Sequence, residues 1–138
     1  MKIIALDIGN VHTGVAYADD LNIIAIPYTT VATHQLPIWL AELFAKEPIS
    51  TVIVGHPKTL AGRESQQTQS TVTLKNQLEQ QFPTIQWLLV DERLTSKQAQ
   101  QIMRIKKKNT KKQEHPIAAA LILQIYLEGL RIKFSNKH

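Results

Sequence analysis

Asp7 ends a short apolar run, residues 3–6, and is followed by Gly9, a polar turn and Gly14. Asp91 and Glu92 end a second apolar run, residues 85–90. A carboxylate at the end of a buried strand is unfavourable unless it is hydrogen-bonded, paired or holding a cation. The glycines allow a sharp turn and leave room for a ligand to approach. Three carboxylates that meet at one sheet edge repel one another, and oxygen donors of this kind select hard cations, Mg²⁺ or Mn²⁺. Two such ions about 3.5–4 Å apart clamp the attacking water and the leaving oxygen of a phosphodiester. Residues 104–112 add six cations and no acid: Arg104, Lys106, Lys107, Lys108, Lys111 and Lys112. Such a block suits a phosphate backbone. Together these residues describe metal-dependent cleavage of nucleic acid. Each also has a plainer reading. Asp7 caps its own turn, Asp91 is a turn residue, Glu92 and Arg93 pair on the surface or cap the next helix, and the lysines form a solvated loop.

The elements that must position these residues follow from the apolar periodicity. Residues 3–6 are apolar on both faces, as a central strand is. Residues 14–18 read as its antiparallel return, and Asp19, Asp20 and Asn22 mark a turn. Residues 23–28 read as a third strand, with Pro27 suited to an edge. The period then changes: Leu36, Leu40, Leu43 and Phe44 give an amphipathic helix over 36–46, with Pro37 in its first turn. The β-branched run 51–55 follows a helix, so it can pair in parallel. A polar loop, 56–63, and a polar helix, 66–81, with a thin stripe at Val72, Leu74 and Leu78, lead to the strand 85–90. Thr95 and Gln98 form a capping signal for a helix to about residue 105. His115 and Pro116 begin a last helix with a broad apolar face, and 131–138 reads as a flexible basic tail. The order β-β-β-α-β-α-β-α-α predicts an α/β protein with a ribonuclease-H-like fold. That is a mixed five-stranded sheet with helices on both faces, in one domain over 1–138.

The bulk numbers narrow the class. A chain of 138 residues, 43% hydrophobic and 20% charged, has the composition of a globular domain. It has no cysteine, which excludes disulfides, a thiol nucleophile and a cysteine zinc site. No apolar run approaches the roughly 20 residues of a membrane helix, and no signal peptide is evident, so a cytoplasmic protein is expected. The net charge of +5 points to a polyanionic partner. Asp7-x-Gly9 also occurs in the phosphate loops of sugar kinases and actin-like ATPases, but those proteins are much longer.

Four motifs in order resemble the YqgF family, the Holliday-junction-resolvase-like proteins of bacteria: ALDIG…TGVAYAD, TVIVGHPKTLAG, LLVDERLTS and IAAALILQIYLEG. The resemblance covers almost the whole chain. It implies a ribonuclease-H-like fold and a nuclease, mainly for maturing the 5′ end of pre-16S ribosomal RNA, with branched DNA as the alternative substrate. It implies Asp7 and Glu92 as principal ligands of Mg²⁺ or Mn²⁺ and Asp91 as an alternative. Arg93, Lys106, Lys107, Lys108, Lys111 and Lys112 would hold phosphates. Two positions depart from the family pattern. His115, with Glu114 beside it, stands where an Asp usually precedes the Ala-rich helix, and Val11-His12 replaces a Lys-Arg pair. His115 would then be the third metal ligand, and imidazole accepts Mn²⁺ but lacks a carboxylate's charge. Three outcomes stay open: His115 serves with an altered metal preference, Glu114 substitutes, or the protein is a non-catalytic RNA-binding assembly factor. A junction resolvase would act as a symmetric dimer, whereas an RNA nuclease works as a monomer or a homodimer.

Overall fold

The computed structural model describes residues 1–56, 66–91 and 111–136. Its strands are β1 (Ile3–Ile8), β2 (His12–Ala18), β3 (Ala25–Ala32), β4 (Thr51–His56) and β5 (Gln86–Asp91). Its helices are α1 (Leu36–Lys46), α2 (Gln66–Gln81) and α3 (Lys111–Asn136), with a short 3-10 turn, Thr33–Gln35, ahead of α1. The strands form one sheet in the order β3-β2-β1-β4-β5. β1–β2 and β2–β3 pair antiparallel, while β1–β4 and β4–β5 pair in parallel. This is the mixed five-stranded α/β sheet expected from the element order, with β1 at its centre.

Strand alternation sorts the core into two layers. Ile4, Leu6 and Ile8 of β1 pack with Val15, Val52, Val54 and Trp87 against Leu36, Leu40 and Leu43 of α1 and Leu78 of α2. Ile3 and Ala5 share the other face with Ala16, Ala18 and Ile53, under Ala119, Ala120, Ile122, Leu123 and Leu127 of α3. The second layer is built largely from alanines, so α3 lies close to the sheet. Gln124 of α3 fixes this docking. Its Oε1 accepts the Ala25 N–H at 2.9 Å and its Nε2 donates to the Ile23 carbonyl at 3.1 Å.

Beyond shifts of one or two residues at the ends of β1, β2, β4 and β5, three boundaries differ from the sequence expectation. The third strand begins at Ala25 and runs to Ala32, later than 23–28. Ile23 and Ile24 are held in the preceding turn because both donate backbone N–H groups to Asp19 Oδ1. Helix α3 begins at Lys111, so His115 and Pro116 lie inside it and Lys111 and Lys112 open it rather than belonging to a loop. Pro116 has no N–H to donate to the carbonyl four residues back, so the helix forgoes one bond there. The helix also continues to Asn136, past residue 131, where a flexible tail is expected. The helix expected from Thr95 lies outside the described residues.

Candidate active site

Asp7 is half-buried on the α3 face of β1, two residues beyond Ala5. Its antiparallel partner is Gly14, and Gly14 in turn pairs with Thr30 of β3. On the other side, the parallel register that pairs Leu6 with Val54 brings Asp7 level with Gly55. Asp7 is therefore flanked by residues without side chains on both neighbouring strands. A Cβ on Gly14 would collide with the His115 carbonyl oxygen and stand 2.9 Å from the Pro116 nitrogen. The room at Gly14 is thus filled by the backbone of α3, not left for a ligand. It brings His115 onto the face that carries Asp7.

The β1–β2 turn is tied down by a small network. Gly9 N–H donates to the His12 carbonyl at 3.0 Å, and Thr33 N–H donates to the Val11 carbonyl at 2.9 Å. The Thr33 hydroxyl donates to the Gly9 carbonyl at 2.8 Å and lies 2.9 Å from the buried Thr13 hydroxyl. Thr33 has one hydroxyl proton, so Thr13 is the donor of that last bond. The network holds His12 on the Gly14 side of β2, where its ring centre stands 5.6 Å from that of His115. Thr30 Oγ1, across Gly14 from Asp7, is buried and has no hydrogen-bond partner among the described residues.

The expected site residues fall into four groups. Asp7 and His115 are brought to one face. Asp91 closes β5, where it pairs in register with His56. Two strand spacings of about 4.8 Å separate β5 from β1, so the Asp91 backbone, level with Ile8 by the same register, lies about 10 Å to the side of β1. Glu92, Arg93, Lys106, Lys107 and Lys108 lie outside the described residues, and Lys111 and Lys112 form the first turn of α3. A carboxylate and an imidazole are donors that suit a divalent cation. Among the described residues, however, no three His, Asp or Glu come close enough to enclose one. In the sequence His12 stands out only as a departure from a family pattern, and Thr30 does not stand out at all. Nothing local marks either residue, since their neighbours come from distant segments of the chain.

The model of the family described as "RuvX: Holliday junction resolvase" matches residues 1–129. The chain belongs to this family. Relatives named "Putative pre-16S rRNA nuclease" include one from Phocaeicola vulgatus, 43% identical over 133 residues and covering 93% of this chain and 96% of the relative. Another, from Bacteroides thetaiotaomicron, is 36% identical over 135 residues, covering 94% and 98%. A third, from Rubrobacter xylanophilus, is 35% identical over 128 residues, covering 92% of each. Among solved structures, Fowlpox virus resolvase in complex with Holliday junction DNA superposes with a TM-score of 0.58. It covers 94% of this chain and 99% of that one, at 12% identity, a likeness of fold. As a member of the RuvX family the chain is a nuclease, an enzyme that hydrolyses phosphodiester bonds.

Proposed function

We propose that this nuclease trims precursor ribosomal RNA at the 5′ end of the pre-16S transcript, using a divalent cation, Mg²⁺ or Mn²⁺. The name shared by relatives up to 43% identical over nearly their whole length carries the choice of substrate. Asp7 and Glu92 are the principal ligands, with Asp91 in support and His115 at the third-ligand position. Asp7 lies near the end of the central strand, on the face that α3 covers, and Glu92 follows two residues after Val90 in the sequence. Once bound, a divalent ion polarises the scissile phosphate and makes its water more acidic. The chain's own part is to hold negative charge at fixed positions on a rigid sheet and to grip the RNA backbone. Arg93, Lys106, Lys107, Lys108, Lys111 and Lys112 supply that grip, because phosphate contacts position a nucleic acid without reading its sequence.

A second reading, cleavage of branched DNA, is favoured by the family's description as a Holliday junction resolvase. Its two symmetric cuts require a homodimer. A third, RNA binding without cleavage, would follow if His115 fails to replace the family's Asp. One experiment separates the three. Wild type and Asp7→Asn are incubated with precursor RNA and with a four-way DNA junction, each with Mg²⁺ and with Mn²⁺. The proposal expects RNA cleavage by wild type and a loss of about a hundredfold or more in Asp7→Asn, since a charge that supports the transition state is removed. Faster cutting of the junction favours the resolvase. Tight RNA binding without cleavage by wild type leaves an assembly factor.

A further inference from the structure

We propose that His12 and His115 together form a binding site for a borderline transition-metal ion of the Zn²⁺ or Co²⁺ class. The site has two protein ligands and leaves its remaining positions open. The two residues are more than a hundred positions apart in the chain. They meet because the α3 backbone at His115 rests on Gly14, two residues along β2 from His12. Their ring centres are 5.6 Å apart with the planes tilted by 36°. An imidazole nitrogen sits about 2.0–2.1 Å from such an ion, so each ring centre lies about 3.2 Å from it. Two rings at a tetrahedral angle are then about 5.2 Å apart, a few tenths of an ångström from the observed spacing.

The backbone fixes where both histidines start, and the His12 side chain itself is exposed. His12 opens β2, and its carbonyl is fixed by the Gly9 N–H. His115 is half-buried in α3, whose position is set by the alanine layer and by Gln124. Among the described residues, neither ring is engaged in a hydrogen bond or an ion pair. Neutral imidazole suits Zn²⁺, Co²⁺, Ni²⁺ and Cu²⁺, whereas Mg²⁺ prefers oxygen and keeps its water. The pair therefore selects a different class of ion from the carboxylates. It uses His115, so it rests on the reading of that residue as a ligand, and an ion held by the pair takes that imidazole away from the carboxylate set. It adds His12 as the partner ligand and names the ion class.

The test needs no RNA. Metal-free wild type, His12→Ala, His115→Gln and the double variant are titrated with Zn²⁺ by calorimetry and with Co²⁺ by visible absorption, with Mg²⁺ as the contrast. His34→Ala controls for surface imidazole. Circular dichroism and melting without metal check folding, and His115→Gln keeps a polar side chain at a half-buried position. Each single variant is expected to weaken Zn²⁺ binding by about tenfold or more. The double variant should lose less than the sum of the two single losses, because both rings serve one ion. Zn²⁺ binding by a folded single variant at wild-type strength overturns the proposal. So do losses that add in the double variant, which would mean two independent imidazoles. Cleavage of precursor RNA is scored separately with Mg²⁺, so failure of the histidine pair and failure of the nuclease reading give different results.

Discussion

A methyl group added at Gly14 would run into the His115 carbonyl, whereas one added at Gly129 meets nothing within 4 Å. Gly14→Ala must push α3 off the sheet, and overpacking of this kind destabilises by about 1–3 kcal/mol. Gly129→Ala, in the interior of α3, should instead stabilise by about 0.5–1 kcal/mol, because Gly loses more backbone freedom on folding. Urea denaturation of the two variants should therefore shift the midpoint in opposite directions. The sequence made Asp7 and its glycines conspicuous, because a carboxylate at the end of an apolar strand breaks the local rule. The sequence could not say what fills the space at Gly14. The answer is the backbone of a helix about a hundred residues away, which neither spacing nor composition records. For the same reason the His12–His115 contact was invisible, although each residue could be seen to stand where the family carries another type.

At the scale of elements, the sequence located α1 and α2 at their observed ends, because periodicity and prolines agree there. It placed β3 too early. Residues 23–28 are the apolar ones, but Asp19 captures the N–H groups of Ile23 and Ile24 at 2.7 and 3.0 Å and keeps them in the turn. The strand then runs on through Thr29 and Thr30, with an irregularity opposite Val15 and Ala16 that leaves Tyr28 without a register partner. The backbone N–H groups of Ile24 and Ile23 hold the exposed Asp19 carboxyl below its ordinary value of 3.8. A lowered pKa in the folded state stabilises above the unfolded value and is lost as pH falls through the folded one. The advantage of wild type over Asp19→Ala should thus be present at pH 5 and fade below pH 3.8. Melting curves of both proteins at several acidic pH values check this. A difference that persists unchanged to the lowest pH would mean that the carboxylate is not what holds the turn.

At the scale of the whole molecule, a net charge of +5 is concentrated in a block with six cations between Arg104 and Lys112. Each phosphate neutralised contributes about 0.7–0.9 to the slope of log affinity against log salt. Replacing Lys106, Lys107 and Lys108 by Ala should therefore flatten that slope by up to about 2–3 units. Binding assays across a salt series read the change directly, and an unchanged slope would show that these lysines do not touch the nucleic acid. The sheet order explains why the site needs the whole fold. β1 carries Asp7 at the centre, and the helix that covers its face, α3, is the last element described. This has a consequence for biosynthesis. Domains take shape as the chain emerges from the ribosome, N-terminal parts first. All five strands, with Asp7 among them, precede α3. While α3 is still inside the exit tunnel, His115 has not reached Gly14 and the α3 face of the sheet is bare. The face that carries Asp7 is thus covered only once α3 has emerged, after all five strands of the sheet have been made.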